Sequence, residues 1–247
     1  MKSFINKANL PDKKVRTVIA GNLPEYTKEL FNKDGIEVLE IISESVLSTP
    51  VSFHADLQCI HLKNERILLN KNQTDLKIEL ENLGFNVDLF EIKKGEHPFD
   101  CCVNAAFIGN KVICKFDILE EKLKKYIVDN KLNVINVNQG YSKCSVCIVD
   151  DNSIITEDES VKNTCEKHGF DVLFIRKGFV RLDGYDYGFI GGASFKTDKD
   201  TLAFIGKVEN HPDYERIRDF TSKKGIRIRS YSDFELTDVG SIIPIIQ

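Results

Sequence analysis

The chain has 247 residues, of which 42% are hydrophobic and 29% charged, enough apolar side chain to build and bury a core. Its net charge of −4 excludes a general basic field of the kind that holds nucleic acid or an anionic membrane. No apolar run reaches the roughly 18 residues that span a bilayer, and the first residues lack a secretion-signal segment, so a cytoplasmic protein without a membrane partner is expected.

In chain order, residues 1–13 read as an extended N-terminal segment and 15–20 as a strand of alternating character. A helix is expected over 24–31, ending in Lys33-Asp34-Gly35, followed by the strand-like Ile36-Glu37-Val38. The same succession returns four times. A hairpin over 57–62 and 66–69 precedes a helix over 74–83, with Leu76, Leu80 and Leu83 at helical spacing, and then Gly84-Phe85-Asn86-Val87. A second hairpin, 104–108 and 111–114 about Gly109-Asn110, precedes a helix over 119–128 and Asn130-Lys131-Leu132-Asn133-Val134. A third, 145–149 and 153–156, precedes a short helix over 159–166 and Gly169-Phe170-Asp171-Val172. A fourth, 193–196 and 201–205, precedes a helix over 213–222 and Gly225-Ile226-Arg227-Ile228.

Four of the five helix ends carry Gly at one position, where a left-handed cap costs Gly nothing. Lys131 departs from this, and Asn130 is the residue expected to take the turn. The chain closes on 241–247 as a strand with no hairpin partner after it; the partner is the strand at 15–20. Pairing the two ends completes a fifth unit and removes a sheet edge. The fold expected is α+β: one domain over 1–247 of five ββαβ units with pseudo-fivefold symmetry, a ring closed by its terminal strands.

Such a ring resembles the pentein superfamily, the five-bladed α/β-propeller of the guanidino-modifying enzymes. These are arginine deiminase, agmatine deiminase, dimethylarginine dimethylaminohydrolase and the amidinotransferases. The resemblance runs from Val15 to Ile246 and is carried by His54-Ala55-Asp56, Phe189-Ile190-Gly191-Gly192-Ala193 and Asn210-His211-Pro212-Asp213. It is closest to a bacterial branch described by this fold alone. It implies a site at the ring centre, where each unit's first strand begins. A thiolate near the C-terminus attacks the guanidinium carbon, a histidine moves protons, and carboxylates grip the planar cation.

Here the pattern is broken, because no cysteine follows Cys165 and the nucleophile's place falls on Ser241, or on Asp238 in a shifted alignment. A hydroxyl is far less acidic than a thiol and needs a paired base. The resemblance implies His54, Asp56, Asp100 and Asp238 as catalytic candidates, and Gln58, Asn104, Lys143, Gly191 and Ser241 as ligand-binding ones. His54 and Asp56, read on a strand, point to one face. They form either a base and carboxylate at the centre or a polar pair at a channel mouth. Asp100-Cys101-Cys102 sets a thiol beside a carboxylate, which disfavours the thiolate, so structural cysteine is expected there. Cys144-x-x-Cys147 has redox or half-zinc spacing but reads as strand, with thiols on opposite faces, and is also taken as structural.

The seven cysteines, an odd number, fit a reducing compartment. His211-Pro212-Asp213 reads as a helix start, and Arg216, Arg218, Lys223, Lys224, Arg227 and Arg229 as a solvated face. No metal and no cofactor is expected. The functional reading is a small polar ligand of guanidino or amidine type, bound or hydrolysed by altered means. The alternative is a non-catalytic interaction module like the ribosome anti-association factors of this fold.

Overall fold

The computed structural model describes residues 3–93 and 98–247. Its elements in chain order are β1 (Thr17–Ala20), α1 (Glu25–Lys33), β2 (Glu37–Glu40), α2 (Ala55–Gln58), β3 (Cys59–Lys63), β4 (Arg66–Asn70), α3 (Thr74–Asn82) and β5 (Asn86–Phe90). There follow β6 (Ala106–Ile108), β7 (Lys111–Cys114), α4 (Glu121–Asp129), β8 (Asn133–Asn136), α5 (Ser142–Ser145), β9 (Cys147–Asp150), β10 (Ser153–Thr156), α6 (Glu159–Lys167) and β11 (Asp171–Phe174). The last are β12 (Ser194–Asp198), β13 (Thr201–Phe204), α7 (Tyr214–Ser222), β14 (Arg227–Ser230) and β15 (Ile243–Ile246).

The strands make five three-stranded sheets, ordered β3-β4-β5, β6-β7-β8, β9-β10-β11, β12-β13-β14 and β15-β1-β2. In each, the first pair is antiparallel and the second parallel. A tight turn suffices for the first pair, whereas the parallel step needs a crossover, supplied each time by a nine-residue helix. The fifth sheet joins the ends of the chain, with Thr17 opposite Ile246 and Ile19 opposite Ile243. Residue 3 extends it, exchanging backbone hydrogen bonds with Gln247, and Phe4 bridges Ile246. Residues 1 and 2 of the expected N-terminal segment lie outside the described residues.

Sequence pattern explains which strand lies where. Two of the first strands, Cys147-Ile148-Val149 and Ile243–Ile246, are nearly continuous apolar runs, and all five are largely buried. The third strands alternate, as in Arg227-Ile228-Arg229-Ser230, and carry one half-buried face outward. Each helix buries residues four apart along one side: Thr27 and Phe31, Leu76 and Leu80, Leu123 and Ile127, Val161 and Cys165, Ile217 and Thr221.

These faces do not make one central core. They make five apolar clusters, each at a junction between neighbouring units. Leu57 and Leu68 meet Phe107 and Leu123; Ile113 and Ile135 meet Ile148 and Val161; Cys147 and Ile155 meet Phe204 and Ile217. Ala203 and Phe195 meet Val18 and Phe31, and Ile19 and Ile243 meet Ile67 and Leu80, which completes the circuit. The chain is a pentein-type α/β-propeller closed by its terminal strands.

Two local expectations are corrected. Residues 55–58 and 142–145 are single helical turns (α2, α5) leading into the inner strands, not the beginnings of those strands. At the third helix end Lys131, not Asn130, adopts the left-handed conformation, at φ +52°, matching Gly35, Gly84, Gly169 and Gly225. Asn130 stays at φ −90°. A side chain in this region is strained by roughly 1–2 kcal/mol, partly offset in Gly by its greater chain entropy. Lys131→Gly is therefore expected to stabilise the protein by about 0.5–1 kcal/mol, read from the midpoint of urea unfolding. A lower midpoint would contradict the cap assignment.

Candidate functional site

All five units send the turn before their inner strand to the middle of the ring, and hydrogen bonds join the five. Asp56, from α2, accepts at Oδ2 from the Ser241 hydroxyl at 2.5 Å and from the Cys144 thiol at 3.0 Å. Asn104 donates from Nδ2 to the Asp56 carbonyl and to Cys144 Sγ, and its Oδ1 accepts from the amides of Lys143 and Cys144. Lys143 donates from Nζ to Ser241 Oγ at 3.1 Å and to the Gly191 carbonyl at 3.4 Å. Asp238 accepts from the Phe189 amide at Oδ2 and from the Gly240 amide at Oδ1, each at 2.9 Å.

The centre is buried and sets two carboxyl groups and the Lys143 amine in one layer. Asp56 and Asp238 are 2% and 4% exposed. Burial holds the Asp238 carboxyl above the ordinary carboxylate range; His54 and its two amide partners oppose this, and Asp56 adds to it. Burial, then the charges of Asp56 and Asp238, push the Cys144 thiol well above the ordinary thiol value. Oδ1 of Asp56 is enclosed without a hydrogen-bond partner among the described residues. The nearest donor atoms of His54, Asp56 and Cys144 lie within 4.8 Å of one another, a set able to hold a metal ion.

Above this layer a cavity of about 290 Å³ opens, floored by His54, Cys144 and Asp238. Its walls are Val51, Tyr141, Leu182, Tyr185, Tyr187 and Phe189, with Asp186 also lining it. Tyr187 and Phe189 meet edge to face at 6.2 Å.

His54 and Asp238 thus line the cavity, while Asp56, Asn104, Lys143, Gly191 and Ser241 form the bonded layer beneath. Asp100 sits at the edge and takes the Tyr141 hydroxyl as donor. Gln58 lies elsewhere, a correction to the ligand-binding expectation. Its amide donates to the Ser52 and Ile42 carbonyls and accepts from Gln73 and Asn70. Glu44 completes that network; burial works against its charge, but hydrogen bonds from Asn72, Asn70, the Val46 amide and Ser45 together hold its pKa low. Residues 55–58 are helical, and Asp56 and Gln58 enter different hydrogen-bond networks.

Cys144 is the residue that the sequence reading missed. Read as strand, it was paired with Cys147, which packs in the third–fourth unit junction; on the α5 turn it belongs to the centre. The aromatic walls at Tyr185, Tyr187 and Phe189 were missed too, although Tyr185-Asp186-Tyr187 is a dense aromatic and acidic run between β11 and β12. His211-Pro212-Asp213 is structural. Asp213 accepts from Arg176 and Arg216, and its own amide donates to His211 Nδ1. The basic cluster is largely paired, Arg218 with Glu215, Lys224 with Asp171 and Arg229 with Asp34.

The fold is of the pentein type, the fold of the guanidino-modifying enzymes. Within that class it belongs to a family of unknown function, DUF6873, whose model matches residues 18–243. No curated protein matches the sequence. Among solved structures it is similar to the inosamine-phosphate amidinotransferase of Streptomyces griseus, at TM-score 0.62 and 10% identity over 99% of this chain and 96% of that one. It is similar also to the amidinotransferase SxtG of Microseira wollei, from the saxitoxin biosynthetic pathway, at TM-score 0.60 and 10% identity over 96% and 92%. A third, DDAH from Pseudomonas aeruginosa complexed with citrulline, gives TM-score 0.55 and 8% identity over 92% and 96%. At these identities the likeness is one of fold.

Proposed function

We propose that this protein binds a small planar cation of the guanidino or amidine class in the cavity above Asp238. The observation that carries the reading is a buried carboxylate at the floor of an aromatic-walled cavity. Asp238 is fixed by two backbone amides, so its remaining lone pairs are pre-oriented toward a ligand. Tyr141, Tyr185, Tyr187 and Phe189 line the cavity, and aromatic rings attract a delocalised cation. Similarity of fold to amidinotransferases fits the same ligand class.

The reading is of binding without amidine cleavage. Ser241 has no exposed surface, and its hydroxyl donates to Asp56. The Cys144 thiol also donates to Asp56 and is not held as a thiolate. Neither group is presented as the nucleophile that guanidinium attack requires.

Isothermal titration with arginine, agmatine, methylated arginines and citrulline tests the reading, with mass spectrometry to detect product. The expected result is saturable binding of the cations, weaker binding of neutral citrulline, and no product. Asp238→Asn removes the charge and sets a side-chain NH2 against one of the two backbone amides, and is expected to weaken agmatine binding about 30-fold, the worth of one hydrogen bond to a charged partner, with circular dichroism checking that the fold is kept. Absence of binding by every cation would overturn the ligand class; product formation would overturn the non-catalytic reading.

A further inference from the structure

We propose that His54, Asp56 and Cys144 form a site for one divalent transition-metal ion, with zinc the ion the donor set fits. The three come from two turns, His54 and Asp56 from α2 with its flanking residue and Cys144 from α5, and all are buried. Imidazole, carboxylate and thiol are the nitrogen, oxygen and sulfur donors that zinc takes, and a hard ion such as magnesium would not select the sulfur.

The spacing suits a single ion. Donor atoms around one tetrahedral zinc stand roughly 3.3–3.8 Å apart, given bonds of about 2.0–2.3 Å. Cys144 Sγ and Asp56 Oδ2 are 3.0 Å apart, and the histidine nitrogen falls inside the 4.8 Å limit of the set. The enclosed Asp56 Oδ1, which no described group satisfies, is an independent sign that the carboxylate is made for a partner outside the chain.

The surroundings are those of a supported site. Asn104 Nδ2 donates to Sγ at 3.3 Å, and the Ser241 hydroxyl donates to Oδ2 at 2.5 Å, so both anionic donors are oriented from behind. Lys143 in turn holds Ser241, at 3.1 Å. The 290 Å³ cavity, which His54 and Cys144 line, gives the ion a way in and leaves room for a further ligand. On binding, the S–H bond of Cys144 breaks, a metal–sulfur bond forms, and the proton leaves to solvent. Two anionic donors then neutralise the divalent charge. Asp238 is not among the ligands, so a change at Cys144 leaves in place the carboxyl on which the guanidino reading rests.

Titration of the chelator-stripped full chain with Co(II) alone tests the site. The expected result is a saturable thiolate-to-cobalt charge-transfer band at one ion per chain. The band should be lost in Cys144→Ser, and His54→Ala should weaken binding by about 100-fold or more, at least the loss seen when a supporting contact is removed. The band should survive Asp238→Asn, which separates this test from that of the guanidino site. No band in the native chain, or an undiminished band in Cys144→Ser, overturns the proposal. Should Cys144→Ser lose its circular-dichroism signature, zinc-edge X-ray absorption of the native protein decides. A shell with one sulfur supports the site, and a shell of nitrogen and oxygen alone rejects it.

Discussion

Gly192→Ala is expected to destabilise the protein by about 4 kcal/mol, the sum of overpacking and lost hydrogen bonds to a buried carboxylate. A methyl group built on Gly192 would stand 2.0 Å from Asp238 Oδ1, 2.4 Å from Cγ and 2.7 Å from Oδ2. Neither side can yield. The Gly192 amide donates to the Cys144 carbonyl at 2.8 Å, and its own carbonyl accepts from the amides of Ser241 and Val239. The Asp238 carboxylate is held by Phe189 and Gly240 on either oxygen. Expelling it would strand two amide donors in the buried centre of the ring. The clash can be separated from any effect of alanine on the backbone by a double-mutant cycle in urea. Asp238→Ala in the Gly192→Ala background removes the obstructing atoms, so the double variant should be more stable than the sum of the two single losses, by about 2 kcal/mol. Strict additivity would mean that the methyl group is accommodated and that the centre is looser than described.

The fold was legible because it is written five times. A cap, a helix with a buried pair four apart and an alternating strand each leave a local mark, and repetition in one order turns weak marks into a ring. The closure was legible too, since a lone strand at each end calls for a partner. The site was only partly so. His54, Asn104, Lys143 and Asp238 sit just before the apolar inner strands, and five such segments must converge in a closed ring. What failed was the conformation of the converging turns. Ala55-Asp56-Leu57-Gln58 alternates in polarity as a strand would, yet it forms one helical turn, held where the Asp56 amide bonds the Gly240 carbonyl across the ring. That bond joins residues far apart in sequence, and no local pattern announces it. The misreading sent Gln58 to the centre when it belongs to the Glu44 network, and removed Cys144 from the centre when it belongs there. Lys131 is a milder case: the turn position was found, but the residue with the side chain best suited to it was not the one the geometry used.

Glu157→Gln is expected to escape a loss of stability that the wild type suffers as the pH rises, a difference that grows by about 3.5 kcal/mol between pH 5 and pH 8. Glu157 is 8% exposed; its Oε1 accepts from the Ile190 amide at 2.8 Å, while Oε2 is buried without a partner among the described residues. Burial pushes its pKa up to about 8, only partly opposed by the Ile190 amide and with Asp238 and Asp158 adding to the rise. Below its ordinary value of 4.5 the carboxyl is protonated in both folded and unfolded chains and costs nothing. Between 4.5 and 8 the unfolded chain releases the proton and the folded chain retains it, so stability falls by about 1.4 kcal/mol per pH unit. Above 8 both forms are ionised and the loss is complete. Glutamine preserves the oxygen that accepts from Ile190 and cannot titrate, so the difference between variant and wild type isolates this one group from every other carboxylate. The two unfolding midpoints should nearly coincide at pH 5 and separate steadily toward pH 8. A constant difference over that range would mean that Glu157 is ionised in the folded protein. Its second oxygen would then need a donor or a cation, and the Ile190 segment beside the cavity would rest on a buried charge and not on a neutral acid.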